Sequence, residues 1–340
     1  MKLHAPFIQL PLRFDAERLA AEVVALGEAP WRPHPQGFAG NSMLPLVSHG
    51  GDSADEGFSG AMRPTPELER CPYLTQVFAS LGATVGRSRL MRLSGNAEVK
   101  RHVDQGYYWI ERARVHIPIV TQPTVRFECG DAAINMAEGE CWIFDTWRQH
   151  RVINAAEQSR THLVIDTVGG GDFWRLVGQG QPHSASPVAG WQPRLVAPQP
   201  GPRPIFALES VNIPAVMSPW EMTTHFGLLF AEAVPHPQLG RVQQLTADLS
   251  RTWRGLWARF GTATAGHCHY HAAMTQYIES VRVPAQTLLL RNEIRWFSAM
   301  MAMVGKAAVN AQAEVSSADE CGSDEGSAVP PPAATPGAMG

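Results

Sequence analysis

The sequence predicts a mixed β fold with helices: a sandwich or jelly-roll core followed by an α-helical C-terminal region. Three observations carry this. From about 84 to 168, short runs rich in Val, Ile, Phe, Trp and Thr are separated by turn signals at Gly95, Pro123, Gly130 and Gly139, the texture of many short strands. Beyond about 206 the apolar period becomes helical. Between the two, QGQPHSASPVAGWQPRLVAPQPGPRP has the composition of a linker.

Each element follows in order. Residues 1–13 alternate loosely and can begin a strand. Asp15 caps a helix over AERLAAEVVALG, with Leu19, Val23 and Leu26 at helical spacing and Gly27 as the stop. Residues 28–65 are rich in Gly, Pro and Ser and read as loop with short strands. A second helix starts at Pro72, carries Leu74, Val77, Phe78 and Leu81 on one face and ends at Gly82. Strands are expected over 87–93, 110–120, 124–128, 132–136, 140–145 and 160–168. Ser218-Pro219-Trp220-Glu221 is a capping box. Leu245, Leu249, Trp253, Leu256, Trp257 and Phe260 form one helical stripe, and Leu290, Ile294, Phe297 and Met301 another. The domains expected are 1–177, with the jelly-roll core at about 84–168; a linker at 178–205; a helical domain at 206–309; and a disordered tail at 310–340.

Composition narrows the function. The 340 residues are 44% hydrophobic, enough for a sizeable core, and Lys+Arg 28 against Asp+Glu 31 leaves a net charge of −3. That balance argues against a phosphate-binding surface, so no nucleic-acid partner is expected. No apolar run reaches the length of a membrane span, and no signal-peptide core is visible. Five cysteines without a CxxC pair make a disulfide framework unexpected and fit the cytoplasm. The 13 histidines are the unusual feature.

His102-Val103-Asp104 places an imidazole and a carboxylate on one side of an extended chain. His150 follows 46 residues after Asp104, a separation that lets a neighbouring strand return beside the first. Two imidazoles and one carboxylate are the ligand set of non-haem Fe(II) oxygenases; the alternative is a surface pair with an unrelated histidine. Arg160 sits in a run that reads as a buried strand, and its guanidinium needs an anion. A dicarboxylate cosubstrate would supply one; so would an internal acid such as Glu128 or Asp166. Arg112, Arg114 and His116 alternate on one face of the next strand. They imply an acidic ligand inside the sandwich, or else the solvent face of an edge strand. Tyr107, Tyr108 and Trp109 line a pocket or pack a core. His267, His269 and His271 lack the partners of a recognised metal set.

The run from Leu90 to Val168 resembles the aspartyl/asparaginyl β-hydroxylase family of Fe(II)/2-oxoglutarate oxygenases, and within it the bacterial members that include proline cis-hydroxylases. The matching pieces are RHVD at 101–104, RVHIPIVTQPTVRF at 114–127, EGECWIFDTWRQHRVIN at 138–154 and SRTHLVID at 159–166. The resemblance implies a double-stranded β-helix, a cupin-like jelly roll. It implies His102, Asp104 and His150 as iron ligands, Arg160 on the distal carboxylate of 2-oxoglutarate, and His116 beside that cosubstrate. Arg112 and Arg114 would face an acidic substrate, and His162 would stand behind the ligands. The protein-hydroxylating members have glycine where this chain keeps Asp104, which weakens any inference to their substrate.

The expected activity is therefore an Fe(II)- and 2-oxoglutarate-dependent hydroxylase, a dioxygenase using O2 and assayed with ascorbate. Its substrate would be an amino acid, peptidyl Asp/Asn or another acidic small molecule. The rivals are a cupin-like metal enzyme without 2-oxoglutarate and a non-catalytic binding protein that keeps the fold. The helical region would cap the pocket or form a homodimer.

Overall fold

Alternation in the sequence decides which side of each strand meets which layer. The computed structural model describes residues 1–310 apart from Gln36, Ser184 and Pro187; the tail expected over 310–340 lies outside them beyond Asn310. Ten strands and six helices position the site: β1 Phe7–Phe14, α1 Ala16–Leu26, β2 Asn41–His49, α2 Pro72–Ser80, β3 Thr84–Leu93, β4 Ala97–His102, β5 Ala113–Val120, β6 Val125–Cys129, β7 Ala132–Ile134, β8 Glu140–Phe144, β9 His150–Asn154, β10 Arg160–Gly169, α3 Gly171–Gly178, α4 Pro219–Ala231, α5 Leu239–Phe260 and α6 His267–Arg282.

The larger sheet runs β1-β8-β5-β10-β3-β2, and the smaller one runs β4-β9-β6-β7. All pairs along these two runs are antiparallel. One face of the larger sheet carries Leu90, Val115, Ile117, Ile143, Leu163 and Ile165. These pack with Leu19 of α1 and Leu74, Val77 and Phe78 of α2 in one buried core. The opposite face looks toward the smaller sheet. There Leu93, Trp142 and Phe144 meet Phe127, Cys129 and Val152 in a second core. Residues at i and i+2 on β3, β5 and β10 therefore enter the space between the sheets together.

The sequence-predicted elements are largely found. Asp15 caps α1 by accepting from the Arg18 backbone N–H, and Ser218 caps α4 by accepting from that of Glu221. Three expectations are corrected. The strand expected over 110–120 begins only at Ala113, because Tyr107–Ile110 forms a helical turn. The segment 28–65 contains β2, a nine-residue strand paired along β3. The stripe from Leu290 to Met301 is not one helix: Leu290 bridges to Ala233, and Trp296–Met300 is a short helix that widens into a π-helical turn over Met301–Gly305.

Segment 178–205, with a linker's composition, lies along the sheet edge. Gln181–Pro182 pairs antiparallel with β1, and Arg194–Val196 pairs parallel with it. The C-terminal helices gather Met222, Phe226, Trp253, Tyr277 and Trp296 into a third core. That core also takes in Val103, Tyr107, Ile110 and Trp147 from the loops of the sheet region. Cys71, Cys129 and Cys141 are free and buried. No helix among the described residues is long and apolar enough to cross a membrane.

Candidate active site

The ends of β4 and β9 lie side by side, with His102 opposite His150 in the ladder. Their ring centroids are 4.3 Å apart. Asp104 follows two residues beyond His102, and its backbone N–H donates to the Thr146 carbonyl at 3.1 Å, which fixes the turn. The Asp104 Oδ1 lies 3.8 Å from His102 Nε2, and its Oδ2 lies 3.9 Å from His150 Nε2. One donor atom from each of the three residues falls within 4.8 Å of the others, and among the described residues this is the metal-compatible cluster.

The protonation states suit a metal. His102 Nδ1 lies 2.7 Å from the Lys100 carbonyl, and His150 Nδ1 lies 2.9 Å from that of Arg148. A carbonyl can only accept, so each Nδ1 carries a proton and each Nε2 is the ring atom turned to the shared space. Burial pushes the His150 imidazole down to about 4, against the opposing pull of Asp104. Burial resists the charge on Asp104, but Arg114, His150 and His102 outweigh it and bring the carboxyl down to about 2. A neutral His150, the Nε2 of His102 and an ionised carboxylate thus converge, the donor set of a facial Fe(II) site.

The triad opens into a cavity of about 410 Å³ between the sheets. Arg160 lies in its wall, 4% exposed, with an unpartnered Nε. Among the described residues no carboxylate stands within salt-bridge reach of it. The alternatives Glu128 and Asp166 are engaged elsewhere: Glu128 with Arg151, Asp166 with Arg114. Burial lowers Arg160 to about 9, which leaves it charged at neutral pH. His116 also faces the cavity and has an unpartnered Nε2. Burial, with Arg160 and Arg114 nearby, holds His116 neutral. His162 lies behind these two, its Nδ1 3.4 Å from both His116 Nδ1 and Arg160 Nη2. It therefore stands behind Arg160 and His116, not behind the triad.

Two expectations for substrate binding change. Arg112 does not face the cavity. Because β5 starts after it, Arg112 leaves the strand's alternation, and its Nε and Nη2 donate to Glu209 at 2.8 and 2.9 Å. Arg114 does line the cavity, but its charge is spent: Nη1 donates to Asp104 at 2.7 Å and Nε to Asp166 at 3.0 Å. The guanidinium steadies the Asp104 carboxylate and is not free for a second acid. Of the three aromatics, Trp109 lines the cavity under Arg114, while Tyr107 packs in the helical core and Tyr108 lies tilted against Phe58, ring centroids 4.8 Å apart.

Arg87 and Arg89 on β3 were missed from sequence. Both line the cavity. The signal was present as Arg87-Ser88-Arg89-Leu90-Met91, an alternation of the kind noticed at 112–116. His34 and Phe38 complete the side nearest His102.

Residues 46–169 match the sequence model of the aspartyl/asparaginyl β-hydroxylase family. The resemblance to that family holds. A relative is L-proline cis-3-hydroxylase 1 of Streptomyces sp, 26% identical over 181 residues, which is 48% of this chain and 60% of the relative. The chain therefore spans about 60% of that enzyme's length. Among solved structures, an oxidoreductase of the 2OG-Fe(II) oxygenase family from Burkholderia pseudomallei aligns with 49% of this chain and 88% of its own, at 18% identity and a TM-score of 0.34. A prolyl-4-hydroxylase from Pseudomonas putida aligns with 48% and 92%, at 14% identity and a TM-score of 0.33.

Proposed function

We propose that this protein is an Fe(II)- and 2-oxoglutarate-dependent hydroxylase of a small acidic substrate, built on a double-stranded β-helix. One observation carries the reading. His102, Asp104 and His150 converge at one cavity, and the same cavity holds Arg160, a buried guanidinium with no internal carboxylate. Bound Fe(II), with 2-oxoglutarate and O2, supplies oxidative decarboxylation coupled to hydroxylation of a C–H bond.

The chain's own part is placement and charge. His102 and His150 turn their Nε2 atoms to the shared space because the Lys100 and Arg148 carbonyls hold their Nδ1 protons. Asp104 stays ionised because Arg114 donates to one of its oxygens and leaves the other facing His102. Arg160 offers a planar fork to the distal carboxylate of 2-oxoglutarate, and the orphan Nε2 of His116 stands ready to bond the same ligand. Phe127, Phe144 and Val152 keep water from that end of the cavity. The similarity to a proline hydroxylase supports an amino-acid substrate over a peptide. The C-terminal helices are taken as a domain that braces the site.

The test is succinate formation from 2-oxoglutarate with iron and ascorbate. Turnover should vanish in His102→Ala and His150→Ala, each with its fold retained. Full turnover in both would remove the ligand assignment. An unchanged 2-oxoglutarate affinity in Arg160→Ala would instead point to a metal enzyme that does not use this cosubstrate.

A further inference from the structure

We propose that residues 52–60 form a strap that walls the substrate end of the cavity, and that Asn212 is the positioning residue that holds the strap there. The proposal rests on the oxygenase reading. It names residues that set the affinity for the compound to be hydroxylated and take no part in binding iron or 2-oxoglutarate.

Residues 52–60 follow β2 and have no regular structure. Among the described residues, 56–60 make no backbone–backbone hydrogen bond. Side chains from other segments hold the strap instead. His49 Nδ1 lies 2.8 Å from Asp55 Oδ2. Arg87 Nη1 donates to the Glu56 carbonyl at 2.9 Å, and the Gly60 N–H donates to Asn212 Oδ1 at 2.8 Å. Gly60 has a φ of 108°, and a Cβ there would meet the His49 ring at 2.5 Å, so glycine is what lets the strap return against β2. Asn212 is itself firmly placed. Three residues before it, the Glu209 N–H donates to the Val85 carbonyl at 2.9 Å, and the Glu209 carbonyl accepts from the Met62 N–H at 2.8 Å. The Glu209 carboxylate takes Arg112 in two-point contact. Asn212 is 7% exposed and its Nδ2 lacks a partner. The bond to Gly60 is therefore what its side chain contributes among the described residues.

The strap carries Glu56 and Phe58 into the cavity wall. The Phe58 ring lies 4.0 Å from the Arg87 guanidinium and meets Trp109 edge to face, with centroids 5.3 Å apart. Trp109 in turn lies 4.2 Å beneath the Arg114 guanidinium, which bonds Asp104. Phe58 thus stands at the triad's end of the cavity. Arg160 stands at the other end: it lies opposite Leu93 on β3, and Arg87 precedes Leu93 by six residues, roughly 20 Å of extended chain. A cosubstrate held by Arg160 approaches the triad from one side, and Phe58 with Trp109 bounds the space on the other. That space is left for the compound to be hydroxylated. One of its walls is a segment without ladder bonds, so its placement depends on the bond that Asn212 accepts. Releasing Gly60 lets the wall open, and part of the substrate's binding energy then goes into ordering it.

The experiment uses the full chain. Of the twenty L-amino acids, the one that most raises succinate formation from 2-oxoglutarate serves as the probe. Asn212→Ala removes the acceptor, and Asn212→Asp keeps it. Asn212→Ala should raise the KM for the probe about fivefold, the loss of one hydrogen bond, with the KM for 2-oxoglutarate and the affinity for iron nearly unchanged. Hydrogen exchange over 52–60, read by mass spectrometry, should speed up by a similar factor. Asn212→Asp should restore both. In the wild-type chain with Mn(II) and 2-oxoglutarate but without O2, the probe should slow exchange over 52–60, a readout that needs no variant. Unchanged exchange in Asn212→Ala, equal rises in the KM for probe and 2-oxoglutarate, or no slowing by the probe overturns the strap's role. If the wild-type chain forms no succinate from 2-oxoglutarate with any member of the panel, the oxygenase reading itself fails. The exchange difference between wild type and Asn212→Ala then decides by itself whether Asn212 holds the strap.

Discussion

Two strands of the larger sheet carry the same short pattern, and the fold treats them oppositely. Arg112-Ala113-Arg114 at the start of β5 is fully neutralised. Arg112 pairs with Glu209, and Arg114 with Asp104 and Asp166. Arg87-Ser88-Arg89 on β3 has no carboxylate among the described residues, and neither does Arg160 on β10. The first pair is architecture: it ties Glu209 and the Asp104 carboxylate to the sheet. The second group is vacant charge, held in a cavity against its own desolvation cost. Identical residue types at identical spacing thus divide by whether the chain itself supplies the counter-ion.

The sharpest way to break this comparison is at the carboxylate that the neutralised side supports. Asp104→Ala, like His102→Ala or His150→Ala, should reduce succinate formation to the uncatalysed background and abolish iron binding. Asp104→Ala should also leave Arg114 short of a partner and cost stability. Chemical denaturation beside an iron titration distinguishes the two losses. A variant that still binds iron tightly would mean that the cluster is not the metal site.

The next effect separates the arginines by stability. Arg112→Gln leaves Glu209, a 4% exposed carboxylate, without its cation. Breaking such a pair costs about 3–5 kcal/mol, so its midpoint in urea should fall sharply. Arg89→Gln removes an uncompensated charge and should leave the midpoint unchanged or raise it. Equal destabilisation by both would erase the distinction drawn here.

How much of this was legible in the sequence follows the same line. Local signals worked: the Asp15 and Ser218 caps, the start of α2 at Pro72, and the alternation that buries Val115 and Ile117. The triad was legible because HxD spacing and a distant histidine are chemistry, and the ladder pairs His102 with His150 as that chemistry requires. Arg112 was misplaced because a four-residue helical turn, Tyr107–Ile110, shifts where the strand begins, and the pattern of apolar residues does not mark that point. Glu209 lies 97 residues further on, and no local rule finds such a partner. Arg87 and Arg89 were passed over because a lone Arg-x-Arg reads as a solvent face until a second sheet is known to cover it.

Acid titration sharpens the comparison further. His150 binds a proton near pH 6.5 when unfolded but only near pH 4 when buried. Between these values the unfolded chain holds the extra proton, so stability without metal should fall as pH drops from about 6.5 to 4, by roughly 3 kcal/mol. Asp104 has the depressed carboxyl pattern: its contribution is present above 3.8 and is lost as pH falls toward about 2. Urea midpoints from pH 8 to 4 check the first window. His150→Gln should flatten the curve there, and a curve already flat in the wild type would show that His150 is not buried neutral.

The smallest expected effect tests whether the helical region positions the triad or only adheres to it. Asn292 lies in the turn between α6 and the last short helix. Its Nδ2 donates to the Trp147 carbonyl at 2.9 Å, and its own carbonyl accepts from Gln149 Nε2 at 3.0 Å. Trp147 and Gln149 are the residues that lead into His150. Val103 and Tyr107, which flank Asp104, pack into the same helical core. Asn292→Ala removes the bond to Trp147 and should cost about 1 kcal/mol. If that bond sets the approach of His150, part of the loss appears as weaker iron binding, up to about fivefold, with 2-oxoglutarate affinity at saturating iron unchanged. Asn292→Ser, which is too short to span the gap, should behave like the alanine variant, and Asn292→Asp should also lose the bond because a carboxylate cannot donate it. A drop in the urea midpoint with iron affinity unmoved would assign Asn292 to the packing of the helices alone.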